Sequence, residues 1–197
     1  MELTFNRCKI AATTFTSSST GAPIYRTTTT RRGLIFPEKT TIEYIGSQDT
    51  EKHRVVAEII WRWPSQKRSY VHIGGNLYSL DEFLMLGPGF ANTDAYLKLK
   101  DEIMLWRPSA PFEPQLQDSQ GRVVAQYKRK GHFRICEALS NDWIVRDTIF
   151  TSFFIYKTCR DIWLPWKKYS YSKPVEMKVE MKKDSPEADK GDYVRLQ

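Results

Sequence analysis

The sequence predicts a mainly β protein, an antiparallel β-barrel closed around one hydrophobic helix near the C-terminus. Three observations carry this prediction. Short apolar runs alternate with a period near two along most of the chain, turn-forming residues punctuate them at regular intervals, and residues 148–156 contain no charged side chain. Period-two alternation is the pattern of half-buried strands. Many short strands must in turn close or protect their edges, which implies a barrel or sandwich.

The clearest strand runs over 53–63. Val55, Ala57, Ile59, Trp61 and Trp63 fall on one face and are expected in the core, while Arg54, Glu58 and Arg62 share the other with Val56 and Ile60. Pro64 ends the run. Further strands are expected at 24–30, 40–45, 69–73, 102–107, 122–128 and 132–137. The threonines at 27–30 and 40–41 suit a pleated surface, where β-branched side chains pack well. Turns are expected at 17–21, 74–76, 87–89, 118–121 and 129–131, each combining small residues with ones that tolerate the left-handed conformation.

Residues 142–162 break the pattern. Trp143, Ile144, Ile149, Phe150, Phe153, Phe154, Ile155, Tyr156, Cys159 and Ile162 are too closely spaced for strand alternation, and Asn141 and Asp142 are residue types that start helices. The charge-free centre leaves no side for water, so this helix is expected to be buried all round. Asp147 and Lys157 bracket an apolar stretch shorter than the roughly 20 residues that cross a bilayer, which favours a core helix over a membrane span. Residues 1–163 are thus expected to form one domain, in keeping with a chain of 197 residues, 41% of them hydrophobic. Beyond it, Trp166, Tyr169 and Tyr171 mix with Lys167, Lys168 and Lys173, and 174–197 is charged and poor in large apolar residues. That composition offers little area to offset the entropy of ordering and reads as a flexible tail.

Arg7 and Lys9 interrupt any secretory apolar run, and three cysteines (Cys8, Cys136, Cys159) are too few and too scattered for a disulfide framework. Reduced thiols and a cytoplasmic location, peripheral at membranes, are the expectation. The net charge of +7 is compatible with nucleic acid, with anionic membrane or with a merely basic surface.

Strands followed by one apolar C-terminal helix resemble the tubby-like fold, shared by tubby C-terminal domains and phospholipid scramblases. The order of segments is similar to that of an uncharacterised domain family of mushroom-forming fungi. TGAPIYRTTT (20–29), TTIEYIG (40–46), AEIIWRW (57–63), EIMLWRP (102–108), VVAQYKR (123–129) and RDTIFTSFFIYKTCRD (146–161) carry the likeness. The resemblance implies a barrel enclosing a hydrophobic helix; it transfers no activity.

Chemistry is sparse. His53, His72 and His132 lie in different expected strands with no metal-ligand spacing, and no nucleophile elbow, Walker loop or dinucleotide fingerprint occurs. No cofactor and no metal is expected. Glu43 and Glu58 are candidates for a cross-strand carboxylate pair, although strand spacing alone does not set them opposite each other. His132 and Cys136 stand about 13 Å apart on an extended strand, too far for a base and its nucleophile.

The basic groups are more suggestive. Lys128, Arg129, Lys130, His132 and Arg134 gather around one expected hairpin tip, and Arg31 with Arg32 marks a second. Phosphate groups take several donors and positive charge, which hairpin tips supply; basic turns that keep sheet edges soluble are the plainer alternative. Trp166, Lys167, Lys168 and Tyr169 suit a membrane interface, or else clip the helix exit to the barrel wall. Nucleic-acid binding is not expected, because no recognised module is present. The expected function is therefore a binding or scaffold domain that contacts anionic membrane or phosphoinositide headgroups through its basic tips. The alternative is an enzyme acting on a small or lipid-like substrate at one barrel end.

Overall fold

The computed structural model describes residues 1–5, 12–32, 36–46, 53–62, 68–86, 94–110, 113–128 and 131–163. Thirteen strands form one sheet: β1 (Glu2–Thr4), β2 (Thr13–Ser17), β3 (Pro23–Arg32), β4 (Phe36–Tyr44), β5 (Arg54–Ile60), β6 (Tyr70–Ile73), β7 (Asn76–Ser79), β8 (Leu84–Leu86), β9 (Ala95–Leu99), β10 (Glu102–Ala110), β11 (Glu113–Gln117), β12 (Val123–Lys128) and β13 (His132–Ile135). Two short helices, α1 (Leu80–Phe83) and α2 (Glu137–Ser140), and one long one, α3 (Trp143–Trp163), complete the fold.

The strand order is β7-β6-β5-β4-β3-β2-β1-β13-β12-β11-β10-β9-β8, and every neighbouring pair is antiparallel. Strictly antiparallel pairing across thirteen positions leaves the two edge strands, β7 and β8, running in the same direction. A parallel ladder between them would take a crossover of about a dozen residues or more, and the four residues of α1 join them instead. The sheet is therefore not closed by hydrogen bonds into a barrel, which corrects the sequence expectation on that point.

α3 packs on the inner face of this sheet. Residues 149–156 are buried without exception, as the charge-free stretch predicts, but Trp143 and Ile144 in the first turn are 47% and 54% exposed, so the helix is not buried all round as expected. Phe150 meets Phe15 of β2, Tyr25 of β3 and Phe133 of β13, with ring centroids 4.8, 4.1 and 6.1 Å away. Phe153 lies 4.2 Å from Phe133, 5.5 Å from Tyr127 of β12 and 6.0 Å from Trp106 of β10. Stacked and edge-on aromatic pairs add about 0.5–1.5 kcal/mol each beyond area burial, so α3 is the hub that both halves of the sheet share. Trp106, wholly buried, donates its indole N–H to Ser152 Oγ at 3.0 Å, which satisfies the polar end of the largest core side chain.

The helix starts where the sequence places it. Asp142 Oδ1 accepts the backbone N–H groups of Ile144 and Val145 at 3.0 and 3.3 Å, the work of an N-cap carboxylate. Lys100 reaches Asp142 Oδ2 at 3.0 Å and holds its carboxyl below the usual aspartate range, helped by the Val145 N–H. Lys100 itself sits in the left-handed region (φ 56°) at the tight β9–β10 turn, a position more often given to glycine.

β5 differs from its sequence reading in a way that matters below. Its ladder with β4 pairs Ala57 with Ile42 but Val55 with Glu43, so Val56 is an extra, bulged residue. The bulge flips the face: Val55 is 55% exposed rather than core, Val56 is buried, and Arg54 turns inward opposite Tyr44. The strand ends at Ile60; Trp61 remains buried and donates its indole N–H to Thr40 Oγ1 at 2.9 Å, while Trp63 lies outside the described residues.

Candidate functional site

Strand direction divides the molecule into two ends. At the lower end stand the starts of β3, β5, β10 and β12 together with the N-terminus of α3. At the upper end stand Arg31 of β3, the Lys128–His132 register pair of β12 and β13, and the C-terminal half of α3, where the Lys157 ammonium approaches the Tyr127 ring at 5.9 Å.

The lower end holds a buried polar cluster. Tyr25 donates its hydroxyl hydrogen bond to Asp147 Oδ1 at 2.6 Å, Arg54 Nη2 faces Asp147 Oδ2 at 2.5 Å, and Arg146 Nε donates to the Tyr25 hydroxyl at 3.1 Å. Burial raises the Asp147 carboxyl above the usual aspartate range, although Tyr25 and Arg54 pull it down. Burial first, and then the Asp147 charge, push the Tyr25 phenol well above its ordinary value. Aromatic faces cover the two guanidiniums: Tyr44 lies 5.3 Å from Arg54 and 5.0 Å from Arg146, and Trp143 lies 4.5 Å from Arg54. Gly46 is needed beside Tyr44, since a Cβ there would come within 2.5 Å of the phenol oxygen. Asp147 Oδ1 is hydrogen-bonded by Tyr25 and Oδ2 is ion-paired with Arg54 without a hydrogen bond, so the cluster ties β3, β5 and α3 together.

Other expected chemistry is dispersed. Glu43 faces Val55 and lies 3.6 Å from His53, whereas Glu58 faces Thr41 and pairs with Lys39 at 2.5 Å, so the two carboxylates do not meet. Among the described residues no group of three His, Cys, Asp or Glu is placed to hold a metal ion. Cys136 and Cys159 are free thiols, and burial pushes Cys159 up to about 12; Cys8 lies outside the described residues.

Of the basic tips, Arg31 and Lys128 are exposed, His132 is half-buried opposite Lys128 and Thr4, and Arg134 is exposed opposite Gln126 and Glu2. Arg31, Lys128 and Arg134 have no acidic partner among the described residues. The contrast is with Lys39, Lys100, Arg107 and Arg122, each within 4 Å of a carboxylate. Gly131 (φ 76°) makes the β12–β13 turn. Arg129, Lys130 and the segment Trp166, Lys167, Lys168 and Tyr169 lie outside the described residues, as does the Arg32 side chain.

The two tips stand at the ends of strands that run in the same direction, but far apart along the sheet. The register runs from Lys128 through His132, Thr4 and Thr16 to Pro23. Arg31 lies eight residues farther along β3, about 26 Å at the usual strand rise. They cannot grip one small headgroup between them.

A family of unknown function, DUF6593, matches residues 9–160. The chain belongs to this family. The DUF6593 segment spans β2 to most of α3 and includes Tyr25, Arg54, Asp147, Arg31 and Lys128, while the Trp166–Tyr169 stretch falls beyond it. No curated protein and no solved structure matches the chain. No helix among the described residues is long and apolar enough to cross a membrane.

Proposed function

We propose that this DUF6593 chain is a non-enzymatic binding module whose upper end docks on anionic phospholipid membrane. The observation that carries the proposal is the distribution of uncommitted cations: Arg31 and Lys128 both stand exposed at that end without a carboxylate partner among the described residues. The packed inner face of the sheet supports binding on the outside, since Phe150, Phe153, Phe154 and Ile155 of α3 fill it and are fully buried. Because the tips are stepped by about 26 Å, the partner suited to them is an extended surface rather than a single soluble inositol phosphate.

Each basic residue close to an anionic bilayer contributes about 1 kcal/mol. Arg31 and Lys128 together then supply about 2 kcal/mol, about thirtyfold in affinity. Glu38, exposed at the bulge opposite Arg31, subtracts from this. The enzyme alternative would need a free acid or base at one end, and Asp147, the one carboxylate among the described residues shifted upward by burial, is already tied to Tyr25 and Arg54.

Sedimentation with vesicles tests the proposal. The protein is expected to pellet with vesicles containing phosphatidylserine or a phosphoinositide, to remain in solution with neutral ones, and to dissociate as salt shortens the screening length below about 8 Å. Equal behaviour toward neutral and anionic vesicles would overturn it, as would tighter binding to a duplex oligonucleotide than to either vesicle.

A further inference from the structure

A second surface lies beside the β12–β13 tip, where β12 carries a bulge. Leu116 of β11 pairs with Ala125 but Gln117 pairs with Val123, which leaves Val124 as the extra residue. A cleft of about 260 Å³ opens there, lined by Val123, Val124, Ala125, Gln126, Arg134 and Cys136. Tyr127, Phe133 and Ile135 point into the core, so alternation turns Gln126 and Arg134 outward, opposite each other. Neither side chain makes a hydrogen bond or ion pair among the described residues. Cys136 follows on β13, tied by its backbone N–H to the Val124 carbonyl at 2.8 Å and half-buried.

We propose that this cleft binds a small organic carboxylate, which takes the Arg134 guanidinium and the Gln126 carboxamide while its short apolar body lies on Val123 and Val124. A guanidinium presents paired donors in the geometry a carboxylate accepts, and an amide donor beside it fixes orientation. A cleft of this volume has room for a ligand the size of benzoate and too little for a lipid. Val123, 47% exposed on the sheet face, is the apolar surface such a ligand would cover. Glu2, across the ladder from Arg134 on β1, is the competing carboxylate.

The thiol at the cleft wall reports occupancy. With the full chain, the alkylation rate of Cys136 by iodoacetamide is followed by peptide mass spectrometry, with the buried Cys159 as internal reference. Sodium benzoate is expected to slow Cys136 alkylation severalfold in a saturable manner, while benzamide at matched ionic strength does not. Arg134→Gln should weaken the benzoate effect by about tenfold or more, the usual cost of a lost charge-assisted hydrogen bond. Arg134→Lys should restore it only in part, and Glu2→Gln should strengthen it. Equal protection by benzoate and benzamide, or protection that survives Arg134→Gln, would overturn the proposal. Gln126→Leu, which removes the amide donor but no charge, should also weaken the benzoate effect, and vesicle binding by the Gln126→Leu protein is expected to persist, so failure of the carboxylate site and failure of the membrane proposal are told apart.

Discussion

The two ends of this molecule use charge in opposite ways. At the lower end Arg54, Arg146 and Asp147 are turned inward, joined through Tyr25 and covered by Tyr44 and Trp143, and Lys100 is bound to the helix cap. At the upper end Arg31 and Lys128 point outward and touch no acid among the described residues. Charges committed to partners hold the structure together. Charges left in water contribute little to stability and remain free to meet a partner. The same residue types therefore serve architecture at one end and recognition at the other, and composition alone does not separate the two roles.

The largest effect is expected at the helix that joins the ends. Phe153→Ala removes a fully buried ring in contact with Trp106, Tyr127 and Phe133, and should lower unfolding free energy by about 3–5 kcal/mol in urea melts. A loss below about 1 kcal/mol would mean that the interior is not packed as described. Next comes the lower cluster. Asp147→Ala leaves Arg54 and Arg146 facing each other without their anion and should cost about 2–3 kcal/mol, less than for a fully buried pair because Arg54 keeps some water contact.

The pH dependence sharpens the comparison between buried and exposed carboxylates. Asp147 is raised above its unfolded value, so between the two values the native state holds a proton that the unfolded chain has released. Its contribution to stability is full below the unfolded value and declines as pH rises through the folded one. Asp142 is lowered, chiefly by Lys100, so its contribution is present above the unfolded value and is lost as pH falls through the folded one. Urea melts from about pH 3 to 7 should therefore show wild type losing stability relative to Asp147→Asn as pH rises, and gaining relative to Asp142→Asn. Slopes of the same sign would break the contrast.

Much of the fold was legible in the sequence, and the reasons it stopped being so are local. The strands around Tyr25, Ile42, Ile59, Val71, Met104, Ala125 and Phe133 declare themselves by alternation, and α3 by its charge-free centre and Asp142 cap. β1, β7 and β8 are only three or four residues long, too short for a periodic signal. β11 carries Pro114 in mid-strand, a residue that argues against a strand even though it is buried there. β9 is missed in the sequence reading although Ala95, Leu97 and Leu99 alternate cleanly with Tyr96 and Lys98. The lower cluster was not legible, because Arg54 reaches Asp147 only after a single-residue bulge inverts the face of β5, and no local pattern announces a bulge. The basic tips were legible as charge, while their stepped heights follow only from register.

The smallest expected change in stability accompanies the most direct test of the difference between the ends. Arg31→Glu with Lys128→Glu reverses two exposed cations at the upper end, and Arg26→Glu with Lys98→Glu reverses two exposed cations nearer the lower end, with the same change in net charge. Both pairs should stay within about 1 kcal/mol of wild type in urea melts, as surface substitutions of about 0.5 kcal/mol each do. In co-sedimentation with phosphatidylserine vesicles, the upper pair should abolish binding and the lower pair should leave most of it intact. Equal loss from both pairs would show that net charge alone drives attraction, and retention by the upper pair would show that this end is not the membrane face.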